Sequence, residues 1–252
     1  MSFFVALRKE LLEQWRTYRL LVVTAVFVTF GLLSPLTAKF MDEILRAMPG
    51  GEEIGQMIPE QTVMDAVGQY VKNLSQFGVI LALLMGMGAV AREKDRGTAA
   101  LILSKPMSRA AFLAAKFVAL GVTFAISLAA AAVAGYYYTA LLFEPLDILA
   151  WLALNGLMLL FILVYVAITL LTSTLTRSQA LAGGLAFVGV IVIGTIGIAP
   201  RIAEFLPGQL LTWGAGLLFG MDTSAWPALG VSVGIIVAAL VGAWAVFERQ
   251  EL

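Results

Sequence analysis

Long stretches without any charged residue alternate with short charged segments along the chain. Seven stretches of this kind occur: Leu20–Ala38, Asn73–Ala91, Phe117–Phe143, Ile148–Thr176, Ser178–Pro200, Phe205–Met221 and Thr223–Phe247. A helix that crosses a bilayer needs about 20 predominantly apolar residues, and six of the stretches are long enough. They lack the alternating pattern of barrel strands, so the spans must be helical. The predicted spans are 20–38, 74–91, 117–140, 151–174, 180–199 and 227–247.

The pattern therefore predicts an all-α, polytopic membrane protein with six transmembrane helices, in which residues 1–252 form one membrane domain. The stretch Phe205–Met221 is shorter, and Pro207, Gly208, Gly214 and Gly216 interrupt it. It is interpreted as an interfacial or re-entrant segment rather than a span.

Six spans place both termini on one side of the membrane, and the distribution of Lys and Arg indicates which side. Twelve of the sixteen basic residues fall in 1–19, 92–116, 175–179 and 248–252. The termini are therefore expected in the cytoplasm, with the protein in the cell (inner) membrane. Residues 39–73 and 200–226 are then extracytoplasmic. For 200–226, a re-entrant lid over an exit and ordinary packing on the bundle both remain open, and 39–72 predicts two short surface helices.

The composition excludes several classes of function. The 252 residues are 61% hydrophobic and 13% charged, with no His, no Cys and a net charge of zero. Without His and Cys there is no Ser-His triad, no thiolate nucleophile and no Cys-based metal site, and no metal site is predicted. Zero net charge argues against nucleic-acid binding. No GxxxxGK[ST] phosphate loop is present, so any ATP must be bound by a partner.

Residues 1–19 predict an amphipathic helix that lies in the headgroup plane of the membrane. Its apolar positions recur every three or four residues, and basic side chains fall between them. It could be a simple anchor and topology signal, or a lever that joins the first span to a cytoplasmic partner. Its candidate residues are Arg8, Lys9, Leu11, Trp15 and Arg16.

The loop 92–116 carries an apolar run between charged flanks. Gly97 breaks the chain after the charge cluster, and Thr98 can cap a new short helix. The apolar run Ala99–Leu103 follows, Pro106 stops it, and Ser108 can cap the next helix. Such a run needs a groove to bury it, or it folds back against the ends of the spans.

Within the spans, the sequence offers packing residues rather than chemistry. Small residues recur every four positions near the C-terminus, a spacing that lets another helix approach closely; they are Gly230, Gly234, Ala238 and Gly242. The same segment matches a GxSxG motif, which is discarded because the chain has no His. The polar residues Asn155, Thr169, Thr172, Ser173 and Thr174 predict interhelical hydrogen bonds. Tyr136–Tyr138 is interpreted as part of an interfacial aromatic belt.

No charged residue lies within a predicted span, which argues against a proton-coupled transporter, a charged channel filter or an intramembrane carboxylate enzyme. An apolar pathway suits lipids, hydrophobic peptides or other amphiphiles better than hydrated ions.

The chain resembles the type-two permease family of ATP-binding-cassette (ABC) exporters, and in particular small six-span permeases such as that of nitrous-oxide-reductase maturation. The resemblance covers essentially the whole chain, including R-K-E-L-L at Arg8–Leu12. It is most specific in R-E-K-D-R-G-T-x5-S-K-P-M-S-R-x2-F-L-x3-K-F at Arg92–Phe117.

The resemblance implies a heteromeric exporter of two permeases and two separate ATPase subunits, which bind the ATP and Mg. The second permease would be a second copy or a paralogue, and this chain itself would bind no cofactor. The short helix of the first cytoplasmic loop would be the coupling helix, and residues 1–19 the connecting helix. The coupling residues implied are Arg92, Glu93, Gly97, Thr98, Ala99, Leu101, Ile102, Leu103, Pro106, Ser108 and Arg109. The rival interpretation is a passive channel or membrane scaffold without an ATPase.

Overall fold

The computed structural model describes residues 3–47, 61–98 and 107–250, and all regular secondary structure in those ranges is helical. The helices are α1 Phe3–Arg16, α2 Arg19–Lys39, α3 Met41–Arg46, α4 Val63–Gly86, α5 Ala91–Asp95, α6 Arg109–Leu142, α7 Ile148–Leu175, α8 Gln179–Ile196, α9 Pro200–Ala203, α10 Gly208–Leu218 and α11 Trp226–Glu248.

Six helical segments of the described chain are long and apolar enough to cross a bilayer, as the sequence predicts. They are α2, the segment Val63–Asp95 that joins α4 to α5, α6, α7, α8 and α11. The protein is a multi-pass membrane protein of the all-helical class.

Two of these helices begin well before the predicted spans. α4 begins at Val63 rather than at residue 74. Of the two short surface helices predicted before this span, α3 is one, and residues 48–60, where a second would lie, are outside the described residues. The carboxylate of Asp65 accepts hydrogen bonds from the backbone N–H and the hydroxyl of Thr62, which starts the helix early. α6 begins at Arg109 rather than at residue 117. Pro59 lies outside the described residues.

The segment predicted as interfacial or re-entrant contains the short helix α10. Its 11 residues give a length of about 16 Å, well below the hydrocarbon thickness of about 30 Å. Leu210 is fully buried and packs with Leu157 and Leu160 of α7. Gly214 lies so close to α7 that an added Cβ atom would be 2.8 Å from Leu154 Cδ1. α10 is therefore packed against the side of the bundle.

α7 is the central helix of the fold and contacts α4, α6, α8, α10 and α11. Large side chains fill the space around it without exposure to solvent or lipid, namely Phe27, Tyr70, Leu74, Phe124, Leu154, Met158 and Ile162. α8 and α11 lie at the periphery, with few of their residues buried. We call the end of the bundle that carries α1, α5 and the start of α6 the basic end.

Polar side chains between the spans have partners in neighbouring helices. The hydroxyl of Tyr70 on α4 donates to Asn155 Oδ1 on α7 at 2.7 Å, which confirms the predicted role of Asn155. The hydroxyls of Thr169, Thr172 and Thr174 instead donate to carbonyls of their own helix. The prediction of interhelical bonds from these three hydroxyls is therefore wrong, because a helical threonine easily reaches the carbonyl one turn back.

Candidate functional site

The loop that carries the candidate coupling residues is described at both of its flanks. One flank is 91–98, which continues from α4 and α5, and the other is 107–109, which leads into α6. The candidate residues Ala99, Leu101, Ile102, Leu103 and Pro106 lie outside the described residues. The described part of the site therefore consists of the two flanks and of the side chains that hold them in place.

A partly buried group of charges joins the first flank to α1 and α6. It consists of Lys9, Glu10, Glu13, Arg92, Glu93 and Lys116, and we call it the ion-pair cluster. Lys116 Nζ lies 2.9 Å from Glu93 Oε1 and 3.1 Å from Glu10 Oε1. Lys9 Nζ lies 3.0 Å from Glu10 Oε1 and 3.1 Å from Glu93 Oε1. Arg92 Nη2 is 3.8 Å from Glu13 Oε1.

The centre of the cluster is largely closed to solvent, whereas Lys9, Glu13 and Arg92 at its edge are partly exposed. The side chain of Lys116 is 3% exposed, and that of Glu10 is 10% exposed. Burial alone raises the pKa of a carboxyl, but Lys116 and Lys9 outweigh it and lower the pKa of Glu10 below its ordinary value. Burial opposes the charged form of Lys9 in the same way, yet Glu10 and Glu93 raise its pKa above the ordinary value. Each charge therefore depends on the others.

The carboxylates of Glu10, Glu13 and Glu93 approach within 4.8 Å of one another, as metal ligands do. The ammonium groups of Lys9 and Lys116 already occupy the space between Glu10 and Glu93. The adjoining cavity, lined by Gln14, Glu93 and Lys116, measures about 20 Å³, which is room for about one water molecule. The arrangement suits ion pairing rather than a metal ion.

A second set of contacts ties both flanks to the C-terminal end of the chain. It comprises Lys94, Arg109, Thr174, Phe247 and Gln250, and we call it the C-terminal clamp. Lys94 Nζ donates to the Thr174 carbonyl at 2.7 Å and to Gln250 Oε1 at 2.9 Å. Arg109 donates to the carbonyls of Phe247 and Gln250 and lies over the Phe247 ring. The clamp therefore connects α5, α6, α7 and α11.

The span Val63–Asp95 is interrupted between α4 and α5, next to the first flank. Ser173 of α7 satisfies the backbone at this break: its hydroxyl accepts from the N–H groups of Val90 and Ala91, each at 3.0 Å. The same hydroxyl donates to the carbonyl of Met87 at 2.9 Å. The predicted interhelical role of Ser173 is confirmed.

The two flanks end in the local structures that the sequence indicates. Gly97 has a φ of +67°, a left-handed conformation that glycine adopts without penalty after a helix end. The Ser108 hydroxyl accepts from the N–H of Ala111 at 3.2 Å and caps α6, as predicted. The Thr98 hydroxyl donates back to the Glu93 carbonyl at 3.2 Å. Whether Thr98 also caps a following helix lies outside the described residues.

α1 presents different faces to the bundle and to its surroundings. Its buried positions are Ala6, Glu10 and Gln14, spaced four residues apart. Trp15 is 70% exposed. Of the other candidate residues, Arg8 and Arg16 are exposed, Leu11 is half-buried, and Lys9 belongs to the ion-pair cluster. α1 therefore packs against the bundle through small and polar residues, and its aromatic Trp15 faces away from the bundle.

The small-residue stripe of α11 is turned away from the rest of the described chain. Gly230, Gly234 and Ala238 are exposed, and Gly242 lies near Leu171. The buried face of α11 is instead formed by Ala228, Ser232, Ala239, Ala243 and Phe247. Close packing of another helix on the stripe stays a prediction.

Comparison with known proteins gives the family. The family model described as "ABC-2 family transporter protein" matches residues 5–252. The chain belongs to the ABC-2 transporter family. The chain is also 30% identical to an uncharacterized transmembrane protein, YxlG, of Bacillus subtilis (strain 168), over 97% of this chain and 96% of that protein. Membership of the ABC-2 family makes the chain a membrane component of a transport system, and the resemblance drawn from its sequence is confirmed.

Several residues at the basic end of this ABC-2 protein escape sequence reasoning. Glu10, Lys94 and Lys116 look like ordinary loop or surface charges in the sequence, yet the fold buries them. Gln250 follows the last helix and has no distinguishing feature in the sequence, yet its side-chain oxygen accepts a hydrogen bond from Lys94 in the C-terminal clamp. Their pairing could have been inferred from the opposite charges at one end of the bundle. Acidic Glu10 and Glu93 and basic Lys9 and Lys116 flank the same end of three predicted spans.

Proposed function

We propose that this chain is the permease subunit of an ATP-driven ABC exporter, and that residues 92–116 dock a separate ATPase subunit. The observation that carries the proposal is the fixing of both loop flanks. The ion-pair cluster ties Glu93 to α1 and α6, and the C-terminal clamp ties Lys94 and Arg109 to α7 and α11. A force applied to residues 99–106 therefore reaches most of the bundle directly.

In the proposed complex, two permeases associate with two ATPase subunits, which bind ATP and Mg. The second permease is another copy of this chain or a paralogue. The basic end faces the cytoplasm of the inner membrane, in line with the positive-inside rule. ATP binding closes the ATPases, closure moves the coupling segment, and the permeases rock about their interface to switch access to the pathway. Family membership supports each of these steps.

The coupling segment is expected to insert an apolar side chain into a groove of the ATPase. Replacing Leu101 with Asp would place a charge in that desolvated groove, at a cost of several kcal/mol. We expect the Leu101→Asp variant to reach the membrane normally but to lose the ATPase subunit on affinity purification. The measurement is the yield of ATPase that co-purifies with tagged permease from detergent-solubilised membranes.

Ile44→Asp provides the matched control, because Ile44 is an exposed apolar residue on the short helix α3. This variant is expected to retain the ATPase. Full assembly and transport by Leu101→Asp would exclude the segment as the docking element. If the wild-type protein purifies without any nucleotide-binding subunit, the alternative of a passive channel or scaffold is supported instead.

A further inference from the structure

We propose that a groove between α6 and α7 is a binding site for the acyl chain of a membrane phospholipid. The groove has a volume of about 830 Å³, within the range of about 300–1,000 Å³ typical of ligand pockets. It lies away from the ion-pair cluster and the C-terminal clamp, along the halves of both helices that are farther from the basic end. The proposal does not rest on the proposed function.

The position of the groove matches one leaflet of a bilayer. Its lining extends from Ala125 to Leu141 on α6 and from Ile148 to Leu159 on α7. At 1.5 Å per residue these distances are about 24 Å and about 16 Å. Half of the hydrocarbon core is about 15 Å thick. Because both helices are membrane spans, the groove reaches from the end of the spans to about mid-membrane.

The polar groups at the floor of the groove already have partners within the protein. Trp151 Nε1 donates to the Ala132 carbonyl at 3.1 Å, and the Asn155 amide donates to the Trp151 carbonyl at 2.9 Å. The Tyr136 hydroxyl donates to the Leu146 carbonyl at 3.0 Å. An occupant therefore gains mainly apolar contact here, which a hydrocarbon chain provides without leaving a polar group unpaired.

The exposed residues that border the groove favour a thin occupant over another helix. Its floor is buried, with Leu128 2% exposed and Trp151 3% exposed. Bulky residues with more than half of their surface exposed border it on both sides, namely Val133, Tyr137, Leu141, Ile148 and Leu152. A helix with its side chains is about 10 Å wide, so we expect it to meet these bordering residues first, whereas an acyl chain is thinner and can lie between them.

The experiment uses the full-length protein reconstituted into vesicles of phosphatidylethanolamine and phosphatidylglycerol. The vesicles contain a small fraction of phosphatidylcholine with a diazirine at the middle of its palmitoyl chain. After irradiation, mass spectrometry locates the labelled residues. We expect labelling to concentrate on the groove, at residues such as Trp151, Asn155 and Leu128, and to exceed that of the exposed face of α8.

Gly156→Leu is the test variant, because Gly156 lines the groove and an added Cβ would meet no atom within 4 Å. We expect it to lose the labelling of the floor. Gly184→Leu is the matched control, since Gly184 is an exposed glycine of α8 with equally open surroundings. It should label like the wild type. Melting temperatures of both variants establish that the fold is retained.

Three results would overturn the proposal. The first is labelling of the groove no stronger than that of the exposed face of α8, which would indicate ordinary boundary lipid. The second is wild-type labelling of the floor in Gly156→Leu. The third uses the absence of native cysteine: efficient disulfide formation between two copies of Ala129→Cys, a substitution in the groove lining, would show that a second protein chain covers it.

Discussion

At the scale of single residues, the charge of Lys116 organises the basic end. Its ammonium group bridges Glu10 of α1 and Glu93 of α5, and it is almost fully buried near the start of a membrane span. A buried cation is costly unless it is paired and hydrogen-bonded. Here the pairing is shared by three helices, so the residue connects elements that are far apart in sequence.

Replacing Lys116 with Met keeps most of the side-chain length but removes the charge. Among the described residues, Glu10 and Glu93 would then keep Lys9 as their one ammonium partner. Removing one partner of a buried ion pair typically costs about 3–5 kcal/mol, and we expect a loss of stability of this order. The measurement is the melting temperature in detergent. Lys72→Met, at an exposed lysine, is the control and should melt like the wild type.

The pKa of Glu10 also predicts a dependence on pH. Since its pKa is lower in the folded protein, its stabilising effect is present above the ordinary carboxyl pKa and is lost as the pH falls through the folded value. The melting temperatures of wild type and Glu10→Gln should therefore differ most near neutral pH and converge in acid.

Glu43→Gln, at an exposed position of α3, serves as the reference and should follow the wild type at each pH. The raised pKa of Lys9 affects stability at alkaline pH. The stabilisation by Lys9 is present below the ordinary lysine pKa and is lost as the pH rises through the pKa of Lys9 in the folded protein. A gap between wild type and Glu10→Gln that stays constant down to strong acid would contradict the assignment of Glu10 as an ionised member of the cluster.

At the scale of elements, α2 and α6 cross with their backbones in close approach. A Cβ added at Gly31 would lie 2.8 Å from the carbonyl oxygen of Ala131. Because that oxygen belongs to the backbone, the helices themselves would have to move apart. The contact is reinforced by a hydrogen bond of 2.8 Å between the hydroxyls of Thr24 and Ser127.

We expect Gly31→Ala to destabilise the protein by about 1–3 kcal/mol, the usual cost of overpacking a close contact. Gly68→Ala on α4 is the matched substitution, since a Cβ there meets no atom within 4 Å. It should be neutral or stabilising by up to about 1 kcal/mol, because alanine favours the helix. Equal melting temperatures for the two variants would argue against a tight α2–α6 crossing.

The helices themselves were predictable from the sequence, because an uncharged stretch of about 20 residues has few alternatives in a bilayer. Their lengths were not, since charge was used to end each span. The predicted second span leaves Asp65 outside it, yet Asp65 starts α4 through its bonds to Thr62; the spacing Thr62-x-x-Asp65 indicates this earlier start. The ion-pair cluster could not be predicted residue by residue, because pairing of Glu10 with Lys116 depends on how α1 docks.

At the scale of the whole molecule, the charge distribution predicts the orientation in the membrane. The chain contains no Cys, so single cysteines can be introduced without further changes. We expect Arg249→Cys, after α11, to react with a membrane-impermeant maleimide only after cells are opened. Asp222→Cys, between α10 and α11, should react on intact cells, after any outer membrane has been made permeable to the reagent. Both positions are exposed. The opposite pattern of labelling would place the basic end outside the cytoplasm.

The junction between α1 and α2 consists only of Thr17 and Tyr18. Tyr18 has a φ of 58°, a left-handed conformation that costs a non-glycine residue about 1–2 kcal/mol. A glycine at position 18 would adopt the same backbone conformation at a lower free-energy cost and would allow more backbone freedom. The backbone at this corner is therefore restricted, and α1 is joined to α2 by these two residues. Because α1 also carries Lys9 and Glu10 of the ion-pair cluster, we expect a displacement of the cluster to be passed to the first membrane span through this short junction.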